Sequence, residues 1–394
     1  MARKCQNWLV TYGAFSEPFS EAPSVFHLWT ALSIVSAVLK RNVYRNRKHF
    51  ITWPNLYTFL VGPPGTKKSS AIGIGEKLLR AVQDPPHIID TFHTAPFLVT
   101  ALSAISPTLS PPRTPFIILA DEAPAFFRRA KYAEDLIPIL IRFFDCKAGG
   151  AGGTQIRGLE NVIDPYGCGL WGVVPDILVD IMPPEIIRGG FASRVIWVYS
   201  EDTSKCIAFP ENMPDPDPNL ETNLIHDLNE MSLLGGEMKI TMACEKAYDS
   251  WYSDHKTGMV KQVDDPRRIG YANRKGELVF KVMMLLSVVE SDSLVVHEKH
   301  FKQALKFLEM LEPDLPKVYR ATTREGQIMD NVDKIRHFIL VTHKGAIDRS
   351  TLTKYCWNNG IMLQEQIDCL AQLMAQGIIH EDHSRGKTIW YIKT

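Results

Sequence analysis

Lys68, Ser69, Asp121 and Glu122 are the residues of this 394-residue chain whose types and spacing best suit work on a phosphate chain. Lys68 and Ser69 end the run Gly62-Pro-Pro-Gly-Thr-Lys-Lys-Ser69. A glycine turn leading into a helix offers an anion successive backbone N–H groups and a positive helix end. A lysine there reaches the β- and γ-phosphates, and a serine hydroxyl ligates Mg²⁺. Gly62, Pro63, Pro64, Gly65, Thr66, Lys67, Lys68, Ser69 and Ser70 are therefore the candidate ATP contacts. Asp121 and Glu122 close the apolar run Phe116-Ile-Ile-Leu-Ala120. In that place an aspartate holds Mg²⁺ with Ser69, and a glutamate orients and deprotonates the attacking water. Either motif alone could be a chance turn. Both together, each at a strand end and in this order, point to ATP hydrolysis with Mg²⁺, with Lys68 and Glu122 as catalytic residues.

The elements that must hold these residues follow from the pattern around them. Leu56–Val61 is an apolar and aromatic run short enough for a buried strand, and Ala71–Val82 has helical spacing. Ser24–Lys40 reads as a helix ahead of them, and residues 1–23 as irregular chain. Val43–Arg47 is a basic segment, expected to be a solvated edge. Pro86–Asp90 suggests a second strand, Thr94 starts a helix over Ala95–Ile105, and Ser106–Pro115 is a proline-rich loop. After the Asp121-Glu122 strand come a helix to Phe144 and a strand over Tyr166–Val174. Strands alternating with helices make an α/β sheet.

Between them, Asp145–Arg157 has four glycines in five positions, flanked by Lys147 and Arg157. It reads either as a DNA-tracking loop in an oligomer's pore or as a plain surface loop. Asp202–Glu221, with four prolines, reads as a linker, and helices dominate after it (220–231, 243–260, 272–290, 297–311). Beyond Asn331 come three helices (332–342, 350–358, 364–376) and a hairpin turning at Ser384-Arg385-Gly386, a winged-helix pattern. The helix in the DNA-reading position carries Gln364, Glu365, Gln366, Asp368 and Gln372 and no Lys or Arg. Phosphate contacts dominate DNA affinity, so Arg385 and Lys387 of the wing are the better candidates for DNA contact.

Composition bounds the rest. Lys plus Arg and Asp plus Glu both number 44, so the whole chain has no net pull toward nucleic acid. The seven cysteines are scattered and never in C-x-x-C, which argues for a reducing compartment and against a zinc site. No signal peptide is visible and the apolar stretches are too short for a bilayer, so no membrane partner and a cytoplasmic location are expected.

Trp29–Leu39, Trp53-Pro-Asn-Leu-Tyr57, Gly62–Ser69, Asp121-Glu122 and Gly190-Phe-Ala-Ser-Arg194 together resemble a phage- and plasmid-encoded P-loop family. Its members are replicative helicases or the helicase halves of primase–helicases, similar to the minichromosome-maintenance (MCM) type of AAA+ ATPase. In G-x-x-x-x-G-K-[ST] the second glycine falls on Lys67; the MCM variant G-x-P-G-x-A-K-S also departs there and matches Gly62, Pro64, Gly65, Lys68 and Ser69. The resemblance covers roughly residues 24–315. It implies that Arg194 is an arginine finger for the neighbouring subunit, where the alternative is a strand-capping surface arginine. It also implies that Arg274, in Arg274-Lys-Gly-Glu-Leu278, is a γ-phosphate contact at the start of a lid helix, where a surface arginine is the alternative. The strand 166–174 ends on Val174, where the family has a polar sensor residue.

The organisation expected is an α/β, AAA+-like P-loop NTPase core with a helical lid and a C-terminal winged-helix domain. Its parts are a helical segment (1–54), the ATPase core (55–202), linker and lid (203–325) and the winged helix (326–394). The resemblance further implies a homo-oligomeric ring, of hexamer size, moving on single-stranded or forked DNA, with priming or initiation left to a separate protein. A helicase loader or remodelling ATPase, and a non-catalytic nucleotide-gated scaffold, are the alternatives.

Overall fold

The computed structural model describes residues 2–90, 94–105, 111–127, 130–147, 162–182, 190–258, 266–322, 324–382 and 389–392. It is α/β and divides into two compact units, Met1–Val318 and Tyr319–Thr394.

The first unit is built on five parallel strands: β1 (Tyr57–Val61), β2 (His87–Ile89), β3 (Thr114–Ala120), β4 (Pro165–Val173) and β5 (Val195–Tyr199). Their order across the sheet is β2-β3-β4-β1-β5. β1, β3 and β4 are buried at every position, as a parallel sheet covered on both faces requires. Alternate residues go to opposite faces. On one face Phe59 lies 4.8 Å from Trp171 and 4.9 Å from Trp197, ring centre to ring centre. On the other, Thr58 accepts a hydrogen bond from Ser33 of the helix Ser24–Val38 at 2.9 Å.

That helix, α2, follows a shorter one, α1 (Trp8–Ser16), which corrects the expectation of irregular chain before residue 24. The Asn7 side chain accepts from the N–H groups of Leu9 and Val10 and so starts α1. Trp8, Tyr12 and Phe15 are buried, and Trp8 Nε1 donates to the Leu224 carbonyl. Buried Asp227 accepts from the N–H groups of Lys4 and Cys5, which fixes the start of the chain. Val43–Asn46, expected as a solvated edge, is a strand paired on both sides, with Ile51–Thr52 and with Gly236–Glu237, and past Val43 it stays partly exposed.

Helices α3 (Lys68–Arg80), α4 (Ala95–Ile105), α5 (Ala123–Phe127) and α6 (Ala130–Phe144) belong to the sheet crossovers. After the 202–217 segment come α7 (Pro218–Ser232), α8 (Met242–Thr257), α9 (Pro266–Glu290) and α10 (Glu298–Glu309). α9 begins six residues earlier than the spacing predicts, which moves Arg274 from a helix start into the third turn. A proline in the first helical position, as Pro266 is here, starts a helix readily. Lys281 of α9 is buried, donates to the Trp53 carbonyl at 2.8 Å and to Asn55 Oδ1, and so ties the helix to the entry of β1.

The second unit has α11 (Arg324–His337), β6 (Ala346–Asp348), α12 (Arg349–Asn358), α13 (Leu363–Ala375), β7 (Ile379–Asp382) and β8 (Ile389–Ile392). The strands form an antiparallel sheet in the order β6-β8-β7. Ile335, Ile339, Ile347, Leu352, Leu373, Ile379 and Trp390 are among its core. The pairing of β7 with β8 is the hairpin read from sequence; strand β6 was not foreseen, and α11 starts earlier than residue 332.

Candidate functional site

The turn between β1 and α3 and the ends of β3 and β4 enclose one cleft. Its lining includes Gly65, Lys67, Lys68, Ser69, Ser70, Asp121, Glu122, Val173 and Val174, and its volume is about 470 Å³. The cleft lies at the carboxyl ends of adjacent parallel strands, the edge where open α/β sheets bind ligands.

Two glycines make this geometry possible. A Cβ on Gly62 would stand 2.5 Å from the Ser200 carbonyl oxygen and 2.8 Å from Thr66 Oγ1. One on Gly172 would stand 2.3 Å from the Asp121 carbonyl oxygen, so only glycine lets β4 approach the turn that carries the two carboxylates. Lys67 has φ 56° and ψ 33°, a left-handed conformation that favours glycine. Its side chain turns to Glu21, Nζ to Oε2 2.8 Å. The lysine hydrogen bond holds the Glu21 carboxyl below its ordinary range, helped by the N–H of Ile207.

Lys68 opens α3. Its Nζ donates to the carbonyls of Gly62 at 2.6 Å and Pro63 at 3.0 Å and to Thr66 Oγ1 at 3.2 Å. Partial burial pulls its pKa below the ordinary lysine value, against the opposing pull of the Glu122 charge. The first N–H groups of a helix have no intrahelical partner, and the first turn of α3 has no acidic residue to occupy them. An anion is the natural occupant. Asp121 and Glu122 are exposed to the cleft, and Ser69 and Ser70 are exposed beside them.

Of the candidate contacts, Pro64, Gly65, Lys67, Lys68, Ser69 and Ser70 line the cleft together with Asp121 and Glu122, whereas Gly62, Pro63 and Thr66 do not line it and instead accept the hydrogen bonds of Lys68 Nζ. Arg194 and Arg274 do not line that cleft. They meet instead at Asp145, after the end of α6. Arg194 Nε and Nη2 donate to Asp145 Oδ1 and Oδ2, both at 2.9 Å, and Nη1 donates to the Gly190 carbonyl at 2.8 Å. Arg274 Nη1 is 4.0 Å from Asp145 Oδ1 and 2.7 Å from Glu277, and exposed Lys147 stands 3.6 Å from Asp145 Oδ2. Burial pushes the Asp145 carboxyl up, but Arg194, Arg274 and Lys147 outweigh it and hold the group below its ordinary value. Arg194 itself is 8% exposed, so it is not the surface arginine of the alternative reading. Arg157, Arg385 and Lys387 lie outside the described residues.

Asp145 and Glu21 were missed by the sequence reading. Neither has a local signal: each meets its cation, 49 and 46 residues away respectively, only after folding. Among the described residues no group of three or more His, Cys, Asp or Glu is arranged to hold a metal ion, and no helix is long and apolar enough to cross a membrane. No protein-family model matches the chain, and no curated protein matches it.

Proposed function

We propose that this chain is a Mg²⁺-dependent ATPase of the P-loop type, and that hydrolysis drives a ring of subunits as a helicase or translocase on single-stranded or forked DNA. The ATPase reading rests on one observation above all. Lys68, Ser69, Asp121 and Glu122 converge on a single cleft at the carboxyl ends of β1, β3 and β4.

The residues fit a nucleotide triphosphate. The acid-free helix start suits phosphate oxygens, and Lys68, now bonded to loop carbonyls, would exchange them for the β- and γ-phosphates. Ser69 and Asp121 would hold Mg²⁺, which neutralises charge on the phosphates when bound. Glu122 positions the attacking water and takes its proton. Val174 offers no polar atom beyond its backbone at the end of β4, so further charge near the γ-phosphate must come from other residues.

Arg194 and Arg274 are two cations suited to that role, and both stand outside their own cleft. A head-to-tail interface that closes into a ring would offer them to the neighbour's nucleotide. For Arg194 the bonds to Asp145 must then open, because all three of its donor nitrogens are engaged. The helicase part rests on the resemblance carried by Gly62–Ser69, Asp121-Glu122 and Gly190–Arg194, and the second unit's three helices and antiparallel sheet suit a winged-helix domain.

The test mixes subunits. Arg194→Ala and Glu122→Gln proteins should each bind ATP and each hydrolyse it poorly. Mixed, some seams pair an intact Glu122 with an intact Arg194, and turnover should reappear. If the mixture stays inactive while the wild-type chain turns over, the arginine does not act across a seam. Unwinding of a forked DNA, stimulated by ATP, tests the helicase part separately.

A further inference from the structure

A second groove lies wholly within the first unit and shares no lining residue with the nucleotide cleft. Its volume is about 950 Å³, against about 470 Å³ for that cleft. The paired strands Val43–Asn46 and Ile51–Thr52, with their turn, contribute Arg45, Arg47, Lys48 and Phe50. α8 contributes Lys246, Tyr248 and Tyr252, and α9 contributes Phe280. Cations and rings are in contact here. The Arg47 guanidinium lies 5.1 Å from the Phe50 ring centre and 4.4 Å from that of Phe280. Tyr248 meets Phe280 edge-on at 5.7 Å and stacks on Tyr252 at 5.8 Å. Its hydroxyl donates to the Gly276 carbonyl at 3.0 Å, and a Cβ on Gly276 would stand 2.6 Å from Tyr252, so both tyrosines are seated against α9. The turn is fixed as well: the Arg47 N–H donates to the Phe50 carbonyl at 2.9 Å, and the Asn46 side chain accepts from the Lys48 N–H at 3.0 Å. Phe50 is 56% exposed. Lys48 and Lys246 are exposed too, and among the described residues neither lysine forms an ion pair.

Charge and rings together select the occupant. Of the cations, Arg45 is held by Glu237 at 3.1 Å, which leaves Arg47, Lys48 and Lys246 to meet a ligand. The 45–50 segment brings no carboxylate to the groove. Those present are Glu277, bonded to Arg274 at 2.7 Å, and Glu245 and Asp249 of α8. An acidic peptide would use the cations and leave the rings idle. A DNA duplex keeps its base faces stacked inside. A single strand offers phosphates to the cations and open base faces to the rings. Its base edges also carry amino groups that can donate to Glu245 or Asp249.

We infer that the groove between the 46–50 turn, α8 and α9 binds single-stranded DNA, with a base stacked on Phe50 and phosphates at Arg47, Lys48 and Lys246. The inference rests on the reading of the chain as a motor on single-stranded DNA, and it gives that strand a contact outside the segment 145–157.

The test uses the full chain, a labelled oligo-dT of about 16 nucleotides and an abasic strand of the same length, with binding read by fluorescence anisotropy. Phe50→Ala should weaken the dT strand roughly tenfold, the scale of one lost stacked base, and leave the abasic strand unchanged. Lys48→Ala with Lys246→Ala should weaken both strands. It should also flatten the slope of log K against log salt by about 1.4, at about 0.7 per phosphate contact on a single strand. The three replaced side chains are exposed and outside the ATP cleft, so turnover without DNA should match wild type. Wild type that binds DNA, with variants that bind it equally well, would overturn the inference and leave the motor reading standing. Equal loss of both strands in Phe50→Ala would overturn it too, since the ring would then stack no base. So would polyglutamate that displaces the dT strand as well as unlabelled dT does, by giving the groove to an acidic peptide. Wild type that binds neither strand would remove the DNA part of the motor reading and this inference with it, whatever the ATP turnover.

Discussion

Replacing Asp145 by asparagine removes one charge and almost no volume, so its effect isolates the ion pair. Arg194 is 8% exposed and makes two 2.9 Å bonds to that carboxylate, with a third, at 2.8 Å, to the Gly190 carbonyl. Asp145→Asn leaves the guanidinium buried with its backbone bond but without a counter-ion. Taking one partner from a buried pair costs about 3–5 kcal/mol. We expect the lower end, about 3 kcal/mol, because the Asp145 side chain keeps 16% of its surface in solvent. Six of the eight tryptophans lie in the first unit, so urea unfolding followed by tryptophan emission reports mainly on it. On an Arg194→Met background, where no buried charge needs a partner, the same substitution should cost less than about 1 kcal/mol. The carboxyl's pKa is lowered in the folded chain. Its contribution is therefore present above the unfolded value near 3.8 and is lost as pH falls below it. The wild type and Asp145→Asn should converge in stability in that acid range. A cost under about 1 kcal/mol at neutral pH would refute the reasoning, since the pair would then be screened as surface pairs are.

Gly172→Ala places a Cβ 2.3 Å from the Asp121 carbonyl and must displace the turn carrying both carboxylates; turnover should fall more than tenfold, with a lower melting temperature in calorimetry. Gly62→Ala, 2.5 Å from the Ser200 carbonyl, should abolish nucleotide binding measured by a fluorescent ATP analogue. Buried His27 has its pKa pulled down to about 4 by desolvation, with the Lys205 charge assisting. Its stabilising effect is complete above about 6.5 and is lost as pH falls toward 4. Urea midpoints of wild type should drop over that window by up to about 3 kcal/mol, and those of His27→Gln should drop less.

The cleft was legible because its parts are local. A glycine turn, a lysine and a serine before a helix, and an Asp-Glu pair at a strand end each occupy a few consecutive residues. The parallel sheet followed from apolar runs that need burial on both faces. What was illegible depends on distance along the chain. The partner of Arg194 is Asp145, and that of Lys67 is Glu21. α1 was hidden because Trp8–Ser16 has apolar residues all round and Gly13 within it, so no single face announces a helix. Its stability comes from burial of Trp8 and Tyr12 and from the bonds to Leu224 and Asp227. The start of α9 was misplaced for a related reason: Pro266 begins it six residues ahead of the apolar periodicity, so Arg274 lies within the helix.

ATP turnover by Glu122→Gln, measured beside its ATP affinity, tests the central claim most directly. If Glu122 takes the proton of the attacking water, the variant binds Mg²⁺·ATP as tightly as wild type and hydrolyses it roughly 10²–10⁴-fold more slowly. Lys68→Ala, run in parallel, should lose binding itself. Wild-type protein that binds no ATP, or a Glu122→Gln variant with undiminished turnover, would contradict the account.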